Sequence, residues 1–385
     1  MIRAKKSLGQ NFLIDKNIID KIINTVSITD NEILEVGPGT GNLTKEILRN
    51  NPSKMYLVEK DSFLAESLKE IIDERVKIFN EDILKFDEKS LSKNKIIVFG
   101  NLPYNISTEI LNIIAKIDEF KGMWLKLKEI TPDKLILLRK VATIASVGSS
   151  TRIEGVQLTD VEVEHILSRV EKQPFQSRDE EEVTGYADAM NLIFDSFGDI
   201  PITENYIKQL HSILLTYSSK AQKHKGEYKK FSNNVEAFDA TGNSIGVIFK
   251  TTSPFDTPFE MKKLIDWYET SLKEKRLHRL LIISIFIVRF LSVHPFQDGN
   301  GRLSRVLTSL MLLQAGYDYV PYCSLESIVE ENKEQYYRSL RKAQKTLSKD
   351  NSALEVWILF FVQMLKKQKE ILERRLKKEK ISSEA

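Results

Sequence analysis

A single cysteine, Cys323, stands among 385 residues. One thiol cannot close a disulfide within the chain, and such scarcity suits a reducing compartment, so the expected location is cytoplasmic. Long apolar runs are missing as well. The longest, "LLIISIFIVRFLSV" at 280–293, is interrupted by Arg289. It is too short to span a bilayer and reads as a buried helix, so no membrane role is expected. The opening residues, "MIRAKKSLGQNFLIDKN", are basic but lack an apolar stretch and a small-residue cleavage site, and do not read as a secretory signal. Excess charge is scarce too, at a net +3. Residues 1–116 hold 17 basic and 17 acidic side chains and are neutral, whereas 366–380 hold 8 basic and 3 acidic ones. The surplus therefore belongs to the C-terminal tail, which reads as a solvated amphipathic helix rather than a nucleic-acid arm. No repeat or low-complexity tract is visible.

What is present is an ordinary globular composition, 42% apolar and 29% charged, in a chain long enough for two or three domains. The first hundred residues alternate short apolar runs with helix-like segments. "ILEV" (33–36), "KMYLVE" (54–59), "VKIFNE" (76–81) and "KIIVFG" (95–100) read as buried strands of an open parallel sheet with crossover helices. After "STEILNIIAKI" (107–117) nearly everything has helical period. One exception, "GNSIGVIFKTTSPFDTP" (242–258), reads as a short hairpin and a proline-bounded loop. The domain boundary is expected near residues 115–120.

The turn "GPGTG" follows the first strand and precedes a helix. Glycines there let backbone approach a ligand where a side chain would collide. The spacing is G-x-G-x-G, which weakens a pyrophosphate reading, and a plain strand–helix turn has the same form. Glu59 ends the second strand, where a carboxylate can accept from both ribose hydroxyls. Asp82 ends the third, within reach of an adenine amine. The fourth strand ends in "NLPY", Asn101 to Tyr104. An asparagine side chain and a proline-fixed carbonyl can accept from an exocyclic amine, while a tyrosine stacks on the base.

Together "GQNFL", "EVGPGTG", "VEKD", "NEDIL" and "NLPYNIST" resemble the ribosomal RNA adenine dimethyltransferases, over residues 1 to about 114. The resemblance implies S-adenosylmethionine as methyl donor and ribosomal RNA as partner. It assigns Asn11, Leu13, Gly37, Glu59, Asp82 and Asn101 to the cofactor, with Asn101 also facing the target base. The family's three further strands and helical RNA-binding domain do not follow here. That leaves the fourth strand as an edge and removes the RNA-gripping surface. The segment is expected to bind the cofactor weakly and to have lost RNA methylation.

The second glycine-rich stretch, "HPFQDGNGRLSR", joins a buried helix to another helix start. Backbone amides of Gly299, Asn300 and Gly301 would converge at a helix N-terminus, a ready anion site. Arg302 and Arg305, three apart, share a helix face and could clamp phosphate oxygens. Asp298 is a hard oxygen ligand placed for magnesium. His294, at the loop entry, could take a proton from a hydroxyl near neutral pH. Taken singly, each piece is as well explained by a structural histidine, a solvated arginine or a turn. The complete pattern H-P-F-x-D-G-N-G-R-x-x-R resembles the Fic family of nucleotidyltransferases, from about Ile117 onward.

That resemblance implies transfer of AMP from ATP to a protein hydroxyl on Tyr, Ser or Thr. His294 would be the general base, Asp298 the Mg2+ ligand, and Gly299, Asn300, Gly301, Arg302, Leu303, Ser304 and Arg305 the phosphate-binding residues. Tyr337 is a weaker candidate for an adenine contact. The hairpin lies where the family has its substrate flap, whose edge could pair with a target segment. In "SSTRIEG", Ser150-x-x-x-Glu154-Gly155 matches the inhibitory helix of Fic proteins, whose glutamate pairs with the second arginine, here Arg305. The same stretch, Thr151-x-x-Glu154, also reads as an N-terminal capping box.

The expected architecture is multidomain. A partial α/β Rossmann-like methyltransferase sheet covers 1–114. An all-α Fic domain covers 115–385, with an inhibitory helix at about 146–160, the flap at 242–258, the core motif at 294–305 and the basic C-terminal helix. The leading expectation is an autoinhibited protein adenylyltransferase. The alternatives are RNA methylation by the first segment, or a non-catalytic remnant of two joined genes. Target and oligomeric state, a homo-oligomer included, stay open.

Overall fold

The structure, a computed structural model, describes residues 13, 15–83, 86, 91–92, 94–100, 106–127, 132–169, 174–238, 244–347 and 353–384. It divides into two compact units, Met1–Asn105 and Ile106–Ala385. The division falls upstream of the boundary drawn from the sequence, because the helix that starts at Ile106 packs within the second unit.

In the first unit, α1 (Lys16–Ile23) precedes β1 (Glu32–Val36), α2 (Asn42–Arg49), β2 (Lys54–Val58), α3 (Ser62–Leu68), β3 (Val76–Phe79) and β4 (Ile96–Gly100). All pairings are parallel, in the order β3-β2-β1-β4. Among the described residues β4 is thus an edge strand, as the sequence implied. Ile33, Met55 and Leu57 pack with Ile47 and Leu43 of α2 on one face, while Leu34, Tyr56 and Val58 face Phe86 on the other. Burial on both faces explains why the strands read as continuous apolar runs rather than alternating ones.

The second unit is helical: α4 (Ile106–Leu127), α5 (Pro132–Ile153), α6 (Asp160–Arg169), α7 (Arg178–Ser196), α8 (Glu204–Leu214), α9 (Thr257–Glu274), α10 (Arg279–Val293), α11 (Asn300–Gln314), α12 (Leu325–Glu331), α13 (Lys333–Gln344) and α14 (Leu354–Glu384). An antiparallel hairpin, β5 (Val235–Phe238) with β6 (Ser244–Phe249), sits between α8 and α9. It begins before the expected segment, because the four-residue "VEAF" is too short a strand to stand out in the sequence.

Helix α10 is buried except along one partly exposed stripe, Leu281, Ile285, Arg289 and Ser292, with Phe286, Val288 and Phe290 at 0% exposure. Each such side chain contributes roughly 1.5–3 kcal/mol. Trp357 of α14 donates its indole N–H to the Ser284 carbonyl at 2.8 Å, pinning α14 across the middle of α10. Helix α11 is more enclosed still. The loop between these two helices therefore hangs from a rigid core. Among the described residues no helix is long and apolar enough to cross a membrane.

Candidate active site

Helix α10 stops at Val293 because Pro295 cannot continue it. His294 takes the left-handed conformation, φ 52° and ψ 60°, and its N–H donates to Phe290 O at 2.9 Å. The imidazole is half-buried, with Nδ1 3.3 Å from Leu291 O. A proton on Nδ1 meets that carbonyl and leaves the Nε2 lone pair available. Burial pulls the pKa down to about 4. The Leu291 carbonyl opposes this, Lys229 reinforces it, and Glu154 and Asp298 oppose it. The ring is therefore neutral at pH 7, the form a general base needs.

The loop is closed by Asn300, whose Oδ1 accepts from Phe296 N at 2.9 Å and whose Nδ2 donates to Phe296 O at 2.7 Å. Phe296 is fully buried and stacks on His211, 3.8 Å between centroids. His211 Nδ1 accepts from Gly226 N at 2.9 Å, which puts the ring proton on Nε2, facing Asp298 O at 3.0 Å. Burial lowers this histidine too, to about 4. Nothing in the local pattern around His211 distinguishes it from any histidine on an apolar helix face.

Gly299, φ 78°, caps α11 and needs the conformation that only glycine adopts readily. Its N–H donates to Asp298 Oδ1 at 2.6 Å. Asn300 and Gly301 stand in the first turn, where amides lack intrahelical acceptors. Three of the expected phosphate contacts are spent elsewhere. Arg302 is 2% exposed and pairs with Glu182 of α7 at 2.9 Å and with Asp298 Oδ1 at 3.3 Å. Leu303 is a core side chain at 0% exposure, and its N–H donates to Gly299 O. Ser304 Oγ donates to Gly301 O at 2.7 Å. Glu182, invisible to the motif, is what turns Arg302 inward.

Arg305 points the other way, toward the end of α5. Its Nε donates to Ser150 Oγ at 2.7 Å, and Nη2 donates to Ser150 O at 3.0 Å and to Glu154 Oε1 at 2.7 Å. A Cβ built on Gly301 would overlap that same Glu154 carboxylate. Glu154 thus lies across the first turn of α11, at the positive end of the helix dipole. The inhibitory helix does not span 146–160. Helix α5 ends at Ile153, and Gly155 turns the chain with φ 112°. The capping box at Thr151 is likewise corrected: Thr151 Oγ1 donates back to Val147 O and Gly148 O near the end of α5. The true box is Thr159 with Glu162, opening α6, each bonded to the other's backbone N–H or side chain at 2.8–3.3 Å. Tyr337 is half-buried beside Tyr336, 5.1 Å between rings. Burial, then Glu154, raise its phenol, which puts it on the Glu154 side of the site.

No group of three or more candidate metal ligands occurs among the described residues. Asp298 stands alone, its side chain 47% exposed, with Oδ2 3.8 Å from Arg178 Nη2. A half-exposed carboxylate fits magnesium, which is commonly held by one or two carboxylates and the phosphates it accompanies.

In the first unit, Gly37, Gly39 and Gly41 all have positive φ, at 67°, 61° and 75°. Asn42 Nδ2 donates to Leu13 O at 2.9 Å, bringing Leu13 to this turn. Glu59 Oε2 accepts from Gly39 N at 3.1 Å and Oε1 from Asp61 N at 2.9 Å, so its carboxylate crosses the turn's mouth. Asp82 pairs with Lys60 at 2.8 Å. Asn11 and Asn101 lie outside the described residues.

Glu35, in β1 just before the turn, is 1% exposed and accepts from Thr44 Oγ1 at 2.7 Å. Burial pushes its pKa up to about 7, from 4.5. A raised carboxyl contributes stability below pH 4.5 that is lost as pH rises through 7, about 3 kcal/mol in all. Glu35→Gln is expected to leave the first unit's melting unchanged at pH 4.5 and to raise it at pH 8. Equal shifts at both values in calorimetry would contradict this assignment.

The family model for ribosomal RNA adenine dimethylase matches residues 1–140, and that for the Fic/DOC family matches residues 201–312. The ribosomal RNA small subunit methyltransferase A of Pelagibacter ubique is 59% identical over 111 residues, 29% of this chain and 42% of that protein. Its counterpart in Maridesulfovibrio salexigens is 50% identical over 116 residues, 29% and 44% respectively. The chain spans about two fifths of the length of these curated relatives. Among solved structures, a Fic domain containing signaling protein from Bacteroides thetaiotaomicron aligns with TM-score 0.54 and 24% identity, over 66% of this chain and 94% of that one. Fic-1 from C. elegans aligns with TM-score 0.54 and 21% identity, over 72% and 74%. These two likenesses establish the fold of the helical region.

Proposed function

We propose that this chain, a ribosomal RNA adenine dimethylase segment joined to a Fic domain, is an autoinhibited protein adenylyltransferase. The observation that carries the reading is His294, its Nδ1 beside the Leu291 carbonyl and its pKa lowered by burial, on a loop leading into a helix whose positive end and Arg305 meet Glu154. A carboxylate at that point marks where an anion is accepted.

In this reading His294 Nε2 takes the proton of a Tyr, Ser or Thr hydroxyl. The oxygen then bonds to the α-phosphorus of ATP, and the bond to the departing pyrophosphate breaks. The first-turn amides of α11 and the Arg305 guanidinium hold the phosphates once Glu154 has moved away. Asp298 would hold magnesium, which lowers the negative charge on the phosphates. Arg302 serves by fixing Asp298 rather than by touching the nucleotide. The β5–β6 hairpin offers an edge for the target's segment. Incubation of the purified chain with ATP and magnesium, followed by intact-mass spectrometry, tests the reading. An added AMP on the Glu154→Gly chain is expected, and a mass unchanged under every condition would end it.

The match of residues 1–140 favours a second activity for the first unit, methyl transfer from S-adenosylmethionine to ribosomal RNA. We read the unit instead as a weak cofactor site around Gly37, Glu59 and Asp82. The edge position of β4 supports this, since the family's pattern places that strand inside the sheet. Radiolabelled S-adenosylmethionine with ribosomal RNA distinguishes the two. Incorporated label would restore the second activity.

A further inference from the structure

The segment before the hairpin captures four consecutive carbonyls of the loop that carries His294. Lys229 Nζ donates to Val293 O at 3.0 Å. Asn233 Nδ2 donates to His294 O at 3.2 Å and to Phe296 O at 2.6 Å. The Lys229 backbone N–H donates to Pro295 O at 2.9 Å. The same side chains bind both feet of the hairpin. Asn233 Oδ1 accepts from Lys229 Nζ at 2.8 Å and from Thr251 Oγ1 at 2.9 Å. Thr251 Oγ1 also lies 3.1 Å from Lys229 Nζ, and Thr251 N donates to Asn234 Oδ1 at 3.1 Å. Strand β5 starts at Val235 and β6 ends at Phe249, so the cluster sits directly beneath both strands.

Lys229 is 3% exposed, and its three ammonium partners are neutral oxygens. Burying a cation without a counter-charge is costly, so a cluster meant only to stiffen the loop would be better built from uncharged groups. The charge has an addressee. Lys229, bonded to the Val293 carbonyl next to His294, acts on the imidazole by its charge, as do Glu154 just past the end of α5 and Asp298 of the same loop. The cation disfavours the imidazolium and the two carboxylates favour it.

We propose that Lys229, Asn233 and Thr251 are positioning residues, holding the hairpin in register with His294 so that a hydroxyl presented on its edge meets Nε2. The proposal rests on the reading of His294 as general base and of the hairpin as flap. Displacing the hairpin relative to the imidazole by about an ångström would cost the rate heavily while leaving the phosphate site, built on the first turn of α11 and Arg305, unchanged.

The test uses the full chain carrying Glu154→Gly, with labelled ATP and magnesium, following self-labelling against ATP concentration and pH. Lys229→Met is expected to lower the maximal rate about tenfold or more with little change in half-saturating ATP. The acid limb of the rate should move up by about half a pH unit or more, because the imidazole gains a proton more easily without its cation. Lys229→Arg should return the limb toward its original place. Thr251→Val, nearly isosteric, should lower the maximal rate in the same manner, and it carries the test if Lys229→Met melts early. An unmoved acid limb in Lys229→Met, an unchanged rate in Thr251→Val, or half-saturating ATP rising in step with the lost rate overturns the proposal. His294→Ala separates the two levels. If it labels as fast as its parent, the reading of the site is wrong. If it is silent while the cluster variants match the parent, only the positioning role is lost.

Discussion

His294→Ala is expected to reduce AMP transfer by about a hundred- to ten-thousand-fold, the usual worth of a positioned general base. The loop should survive the change. Its closure depends on Asn300, Asn233 and the stacked Phe296–His211 pair, none of which uses the His294 ring. Nucleotide affinity should therefore persist while chemistry fails. One complication is conformational: His294 sits at φ 52°, and alanine in the left-handed region carries a penalty of roughly 1–2 kcal/mol. Asparagine tolerates that region better and brings no comparable base, so His294→Asn should be equally inactive with a melting temperature closer to wild type. Labelling by His294→Asn at the wild-type rate would remove the imidazole from the mechanism.

Glu154→Gly is the second large effect, in the opposite direction. The carboxylate holds Arg305 Nη2 at 2.7 Å and covers Gly301, so the guanidinium is engaged and the first turn is covered before any nucleotide arrives. Removing it leaves Arg305 bonded to Ser150 and leaves a buried charge short of a counter-ion. Self-labelling should rise on the order of tenfold to a hundredfold, the range of a coupling of about 1–3 kcal/mol. The variant should also melt earlier without nucleotide and recover more on adding ATP than wild type does. Glu154→Gln keeps the length and drops the charge, and should fall between the two. Identical labelling of wild type and Glu154→Gly would dismiss the carboxylate as a brake.

The sequence made some of this plain and hid the rest for physical reasons. Buried parallel strands, the glycine turn and the helix–loop–helix around His294 are written in local patterns of apolar residues and glycine. The fate of the two arginines is not. Three helical positions leave about 60° between side chains, enough for Arg302 to reach α7 and Arg305 to reach α5, and only the neighbouring helices decide which. Thr151 misled because a capping signature and a back-bonded threonine near a helix end share the same letters. Lys229, Asn233 and His211 act through backbone carbonyls far away in sequence, and such contacts leave no spacing to read.

Ser150, in the last turn of helix α5, and Glu154, just past its end, reach Arg305 from the same polypeptide. Tethering fixes their local concentration at a level no cell can change by making more or less of the protein. Diluting the chain cannot loosen this grip, and crowding cannot tighten it by mass action. In the proposed reading, opening the site takes either a competitor for the guanidinium or a bend at the end of α5, and the amount of protein does not enter.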